Sequence, residues 1–153
     1  MPYKFHRKGI LGIVYRQRDL NIEYLLLHRF YPWKGWEFVK GGLGGRSEED
    51  ALENELTDET HLKSLNVQRI PGFKIIYKFS KKAIERGDKC IGQNLQGFLV
   101  EVNPEDVVIV NFREHNDFYW TDYQQAMEML RHSQTKGALK FANRYIMDLM
   151  KKK

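Results

Sequence analysis

The stretch from Trp36 to Leu62, W-E-F-V-K-G-G-L-G-G-R-S-E-E-D-A-L-E-N-E-L-T-D-E-T-H-L, constrains the fold more than any other part of the chain. A short apolar run leads into a glycine-rich segment and then straight into a helix, which leaves little slack for the connection. Ser47 is placed to cap that helix, and Asp50 three residues on completes the S-x-x-D form of a capping box. Glu48 and Glu49 fall in the first turn, where the helix dipole favours negative charge. Ala51, Leu52 and Leu56 share an apolar side spaced for burial. Glu55, Asp58 and Glu59, at i, i+3 and i+4, project their carboxylates from one face. Like charges so spaced repel by roughly 0.2–0.5 kcal/mol per pair on an exposed helix, and by more where water is excluded. They also crowd the end of the helix where the dipole disfavours anions.

Such a triplet is either a solvated acidic face or a set of ligands for a divalent cation. A few oxygen donors on one helix suit Mg²⁺ or Mn²⁺ carried with phosphates better than a full Ca²⁺ cage. The preceding segment favours the second reading. Lys40-Gly41-Gly42, with Gly44 and Gly45, lets backbone N–H groups approach an anion closely, beside a lysine and a helix N-terminus. Glycines alone more often just make a tight connection; followed at once by three carboxylates, they read as half of a polyphosphate–metal site.

This segment resembles a Nudix box, whose family pattern is G-x5-E-x7-R-E-U-x-E-E-x-G-U with U apolar. Glu55, Leu56, Asp58, Glu59 and Leu62 fall on the E-U-x-E-E-x-G-U half. Asn54 stands where the family has Arg, and His61 where it has Gly. Gly42 to Glu48 keeps the first interval, but only five residues then separate Glu48 from Asn54. The resemblance extends over most of the chain and narrows to the diadenosine-tetraphosphate hydrolase branch. W-E-F-V-K-G-G is similar to that branch's W-x-x-P-K-G-H, with Val39 for Pro and Gly42 for His. G-F-K-x-x-Y-K-F, Gly72 to Phe79, is similar to its adenine-stacking segment. E-H-N-D-F-Y-W, Glu114 to Trp120, is similar to its E-H-x-x-Y/F-R-W element.

The resemblance implies a metal-dependent hydrolase of nucleoside polyphosphates. In it, Glu55, Glu59 and Glu114 are catalytic, and Glu55, Asp58, Glu59 and Glu114 hold Mg²⁺ or Mn²⁺. Lys40, Gly41 and Gly42 grip phosphate, while Phe79, and less directly Tyr77, stack on a base. His115 is read as a structural or surface histidine rather than a base. The departures in the box keep a second reading open, a Nudix-fold module that binds a nucleotide, an RNA 5′ end or a protein with little turnover.

The bulk properties agree. At 153 residues and 42% hydrophobic, the chain is expected to form one domain, 1–153, with a real core. No run reaches the ~18 apolar residues of a membrane span. The single Cys90 rules out an internal disulfide framework and points to a reducing, cytoplasmic setting, with the thiol as inert packing or surface. A net charge of +5 favours anionic partners, whether nucleotides, inositol phosphates or RNA.

Patterning along the chain predicts antiparallel strands over Ile10–Tyr15 and Ile22–His28, an aromatic loop over Phe30–Gly35 and a short strand over Trp36–Val39. Trp33 and Trp36 are candidates for core or for a base-binding cleft. Strands follow over Leu65–Ile70 and Phe73–Phe79, interrupted at Pro71-Gly72. The charged connection Ser80–Lys89 carries Lys81, Lys82, Arg86 and Lys89. Further strands are expected over Asn94–Val102, Val107–Val110 and Phe118–Trp120. A Thr121-x-x-Gln124 capping box opens a helix through Leu130. The last helix, Lys136 to Met150, is expected to bury Ala138, Phe141, Ala142, Tyr145 and Leu149. The class is α+β, a mixed sheet between helices.

Overall fold

The structure, a computed structural model, describes residues 6–30, 34–78 and 92–152. Its strands are β1 (His6–Arg18), β2 (Asn21–Arg29), β3 (Gly35–Glu37), β4 (Val39–Gly42), β5 (Ser64–Lys78), β6 (Gly92–Val102) and β7 (His115–Thr121). The helices are α1 (Glu48–Thr60), α2 (Tyr123–Met129) and α3 (Ser133–Lys151). The seven strands form one sheet in the order β3-β2-β1-β6-β5, with β4 paired to β1 and β7 to β2. β1 runs parallel to β6, while the other pairings among the described residues are antiparallel, so the sheet is mixed as expected.

Strand alternation sorts the core into two layers. Leu11, Ile13, Tyr15, Tyr24, Leu26, Leu95 and Leu99 face Ala126, Leu130, Ala138, Leu139, Ala142 and Ile146 of the α2–α3 side. Ile10, Val14, Leu25, Leu27, Phe98 and Val100 face Ala51, Leu52 and Leu56 of α1. The central strands therefore read as continuous apolar runs because both of their faces are covered. Leu52 and Leu56 are wholly buried, each contributing roughly 1.5–3 kcal/mol by leaving water. That anchors α1 across β1 and β4 and fixes which of its faces is left for the acids.

Both ends of α1 follow local chemistry. Ser47 accepts from the Asp50 N–H at 3.1 Å, the expected cap. At the other end His61 takes the left-handed conformation, φ 62°, that the family's glycine adopts without cost. Its ring meets the Ile109 carbonyl at 3.0 Å, and the Ile109 N–H donates to the Thr60 carbonyl at 2.9 Å.

Several local expectations are corrected. Val107–Val110 is not a strand. Its burial alternates as a strand's would, but among the described residues it ladders to no neighbour and is tied to the end of α1 instead. Pro71-Gly72 does not split β5; the strand continues through it with a register slip against β6 between Arg69 and Lys74, Gly72 taking φ 80°. α2 is capped by Asp122, which accepts from the Gln125 N–H at 2.7 Å, because Thr121 is still the last rung of β7 opposite Tyr24. In α3 the buried face is Ala138, Leu139, Ala142 and Ile146. Phe141 is exposed and stacked on Phe73 at 4.7 Å, and Tyr145 and Leu149 are only half-buried. Trp36 packs half-buried against the α2–α3 core and edge-on to His28. Trp33, Cys90 and the basic residues of Ser80–Lys89 lie outside the described residues. Among the described residues no helix is long and apolar enough to cross a membrane.

Candidate functional site

Lys40, Gly41 and Gly42 are not a loop. They form β4, laddered to β1 through Leu11, Ile10 and Gly9, and the turn proper falls on Gly44 and Gly45 with φ 58° and 78°. What Gly41 permits is close approach. A Cβ there would lie 2.6 Å from both Cγ and Oε1 of Glu55, where ordinary contact is about 3.5–4.0 Å. The Glu55 carboxylate therefore rests directly on the backbone of β4, and the glycine segment and the acidic helix face are in contact.

The three acids of α1 do not share one environment. Glu59 is buried, Glu55 half-buried and Asp58 exposed. Asp58 turns outward to Arg113, 3.3 Å away in an exposed pair of little energetic weight. Burial pushes the Glu59 carboxyl well above the usual carboxylate range; the charges of Glu37, Glu55 and Glu114 add to the rise, and Arg29 opposes it. Glu55 is raised for the same reasons, burial first and then Asp58 and Glu114, against Arg46. The Oε2 of Glu59 has no hydrogen-bond partner among the described residues. A buried acceptor left unpaired costs roughly 1–3 kcal/mol, so this oxygen calls for a proton or a cation.

Glu114 enters from the far end of the sequence. Asn111 shapes its turn, with the Asn111 carbonyl accepting from the Glu114 and His115 N–H groups at 3.4 and 3.2 Å. The Glu114 carbonyl accepts from the Phe30 N–H at 3.2 Å, docking the turn on the end of β2. Glu59, Glu114 and His115 offer ligand atoms that all lie within 4.8 Å of one another, with Glu59 and His115 buried and Glu114 exposed. Glu55 and Asp58 stand outside that spacing.

Beneath the acids lies an ion network that the sequence reading did not find. Arg29 donates through Nε to Glu37 Oε2 at 2.8 Å and through Nη2 to Glu114 Oε2 at 3.1 Å. Lys40 Nζ lies 3.5 Å from Glu37 Oε1, and His115 Nε2 lies 2.7 Å from Glu37 Oε2. Burial pushes the Glu37 carboxyl up, but the hydrogen bond from His115 and the charges of Lys40 and Arg29 outweigh it, and the group is held below its usual range. Glu37 thus fixes Lys40, Arg29 and His115 together. The clues available were a lone charge inside the apolar run Trp36–Val39 and an arginine closing the apolar run of β2. Neither names its partner.

Tyr77 belongs to β5, but its side chain, like the whole of Phe79, lies outside the described residues. A cavity of about 540 Å³ lies between β5 and α3, lined by residues such as Phe73, Ile75, Gln134 and Phe141, and none of the expected site residues whose side chains are described borders it.

The sequence matches the NUDIX domain family from residue 5 to residue 145. Comparison with curated proteins gives no significant match. The fold is similar to that of a C. elegans Ap4A hydrolase in a binary complex, with 20% identity, 93% of this chain and 98% of that one covered, and a TM-score of 0.75. It is also similar to the E. coli dihydroneopterin triphosphate pyrophosphohydrolase, at 17% identity, 90% and 96% coverage and a TM-score of 0.71. The NUDIX domain of Shewanella oneidensis NrtR, complexed with ADP ribose, superposes with a TM-score of 0.74 at 11% identity, covering 94% and 90%. At these identities the likeness speaks for the fold, and the family match over nearly the whole sequence speaks for descent: the chain belongs to the NUDIX domain family.

Proposed function

We propose that this chain is a Nudix-type pyrophosphohydrolase that cleaves a phosphoanhydride bond in a nucleoside polyphosphate, with asymmetric cleavage of diadenosine tetraphosphate to ATP and AMP as its reaction. The observation that carries the reading is the buried, unpartnered Oε2 of Glu59, within the field of Glu55 and Glu114, with Glu55 itself resting on Gly41 of β4. These residues fit a divalent cation, Mg²⁺ or Mn²⁺, since the donors are carboxylates whose mutual repulsion and burial a cation offsets. When bound, the ion supplies charge neutralisation along the polyphosphate and acidifies a water for attack on phosphorus.

The chain's own residues supply the rest. Glu59 and Glu55 hold the ion, and Asp58 assists at the solvent edge. Glu114, half exposed and steered by Arg29, takes the proton of the attacking water as general base or completes the ligand set. Lys40, tethered to Glu37, grips phosphate together with the backbone of Gly41 and Gly42. Tyr77 and Phe79 stack on a base, which is worth on the order of 1–3 kcal/mol. The setting is a reducing one, the cytoplasm, on the strength of the lone cysteine.

The second reading is a module that binds nucleotide or an RNA 5′ end with little turnover. It is favoured by Asn54 in place of the family's Arg and by Asp58 turning to Arg113. A panel of dinucleoside polyphosphates, capped RNA and inositol pyrophosphates, incubated with the protein and Mg²⁺ or Mn²⁺ and resolved by chromatography, separates the two. ATP and AMP in equal amounts from diadenosine tetraphosphate support the hydrolase. Nucleotide binding without turnover anywhere in the panel supports the module.

A further inference from the structure

His115 is wholly buried at the first position of β7, directly after Glu114. Its Nε2 lies 2.7 Å from Glu37 Oε2, the same oxygen that accepts from Arg29 Nε at 2.8 Å. A carboxylate oxygen engaged by a guanidinium is an acceptor, so Nε2 is the nitrogen that donates to Glu37, and Nδ1 is the one not committed to it. That nitrogen is buried and has no hydrogen-bond partner among the described residues. Glu59, only 4% exposed, has an unpartnered oxygen of its own, and ligand atoms of Glu59, Glu114 and His115 lie within 4.8 Å of one another. Three such residues within 4.8 Å of one another are close enough to share one ion. A carboxylate holding one imidazole nitrogen while the other is free is the arrangement that orients a histidine ligand.

We propose that His115 joins Glu59 and Glu114 as a nitrogen ligand of this centre, through the nitrogen that Glu37 does not hold, and that the site therefore takes a transition ion such as Mn²⁺ or Co²⁺ in preference to Mg²⁺. Imidazole suits the first-row transition ions, whereas Mg²⁺ is held by oxygen. The proposal rests on the metal-site reading above and deepens it. Glu37 becomes a positioning residue, reaching the ion through the His115 ring and tying the same ring to Lys40 and Arg29.

Pulsed electron paramagnetic resonance of the Mn²⁺-loaded full-length protein tests this without a variant. The expected result is a coupling to a directly bound ¹⁴N that becomes a ¹⁵N coupling when the protein is grown with ¹⁵N-histidine. In His115→Gln the coupling is lost, and the preference for Mn²⁺ over Mg²⁺ falls about tenfold, the lower end for a disturbed ligand sphere. Mn²⁺ bound in a way that Glu59→Gln abolishes, but with no nitrogen coupling, overturns the histidine ligand and leaves the hydrolase reading standing. No Glu59-dependent Mn²⁺ binding at all overturns both. If His115→Gln fails to fold, the isotope exchange in the unaltered protein decides alone.

Discussion

Replacing Gly41 by Ala probes the join between the glycine segment and the acidic helix. The added methyl would sit 2.6 Å from Glu55 Oε1, about 1 Å inside ordinary contact. β4 cannot retreat freely, because Gly41 is laddered to Ile10. The Glu55 carboxylate must move instead, by about 1 Å or into a poorer rotamer costing roughly 0.5–1.5 kcal/mol. A displacement of that size at a reacting centre costs about 10²-fold in rate. Overpacking costs the fold about 1–3 kcal/mol, a fall of roughly 2–12 °C in Tm for a domain of this size. Steady-state kinetics on the substrate identified by the panel, with a thermal melt of each protein, reads both numbers. The expected outcome is a kcat reduced by about two orders of magnitude in a protein that still folds. A variant with kcat within twofold of the parent and an unchanged melt would refute the placement of Glu55 in the reaction.

The buried ion network makes its own predictions. Arg29→Met strips Glu37 and Glu114 of a shared partner and should destabilise by about 3 kcal/mol, the lower end for a broken buried pair because Lys40 and His115 remain; chemical denaturation measures it. The Glu37 carboxyl is held below its usual value, so its contribution is complete above the unfolded pKa near 4.5 and is lost as pH falls through the folded one. The stability deficit of Glu37→Gln should thus be constant above about pH 5.5 and shrink below pH 4.5, and a deficit that grows on acidification would contradict it. Gly137 sits inside α3 with nothing among the described residues within 4 Å of an added Cβ, so Gly137→Ala should stabilise by about 0.8–1 kcal/mol without altering kcat, read by melts and turnover.

What the sequence made legible was what depends on near neighbours. The Ser47 cap, the buried side of α1 and the central strands β1, β2 and β6 each follow from residues a few positions apart. The ladder of β4 and the end of β7 were misjudged by a residue or more, because pairing with β1 and β2 overrode the local glycine and capping signals. Val107–Val110 misled for the opposite reason, four β-branched residues in a row with no strand to meet among the described residues. The site divides the same way. Glu55 and Glu59 were legible as a helical pair, and their unequal burial was not, since it depends on how α1 seats over β4. The Glu37–His115 contact spans 78 residues, and the Arg29–Glu114 contact 85; no local pattern encodes either. Asp58 shared the spacing of its neighbours, yet Arg113 draws it outward.

Glu59→Gln tests the centre of the account most directly, with turnover of diadenosine tetraphosphate and binding of the same nucleotide measured side by side, in Mn²⁺ and in Mg²⁺. The swap keeps the side chain's size and removes the charge that the account assigns to the ion. Turnover should fall by at least about 10³-fold, some 4 kcal/mol of barrier, while the nucleotide still binds. Turnover within a few-fold of the parent would mean that the buried acid of α1 does not hold the reaction's cation.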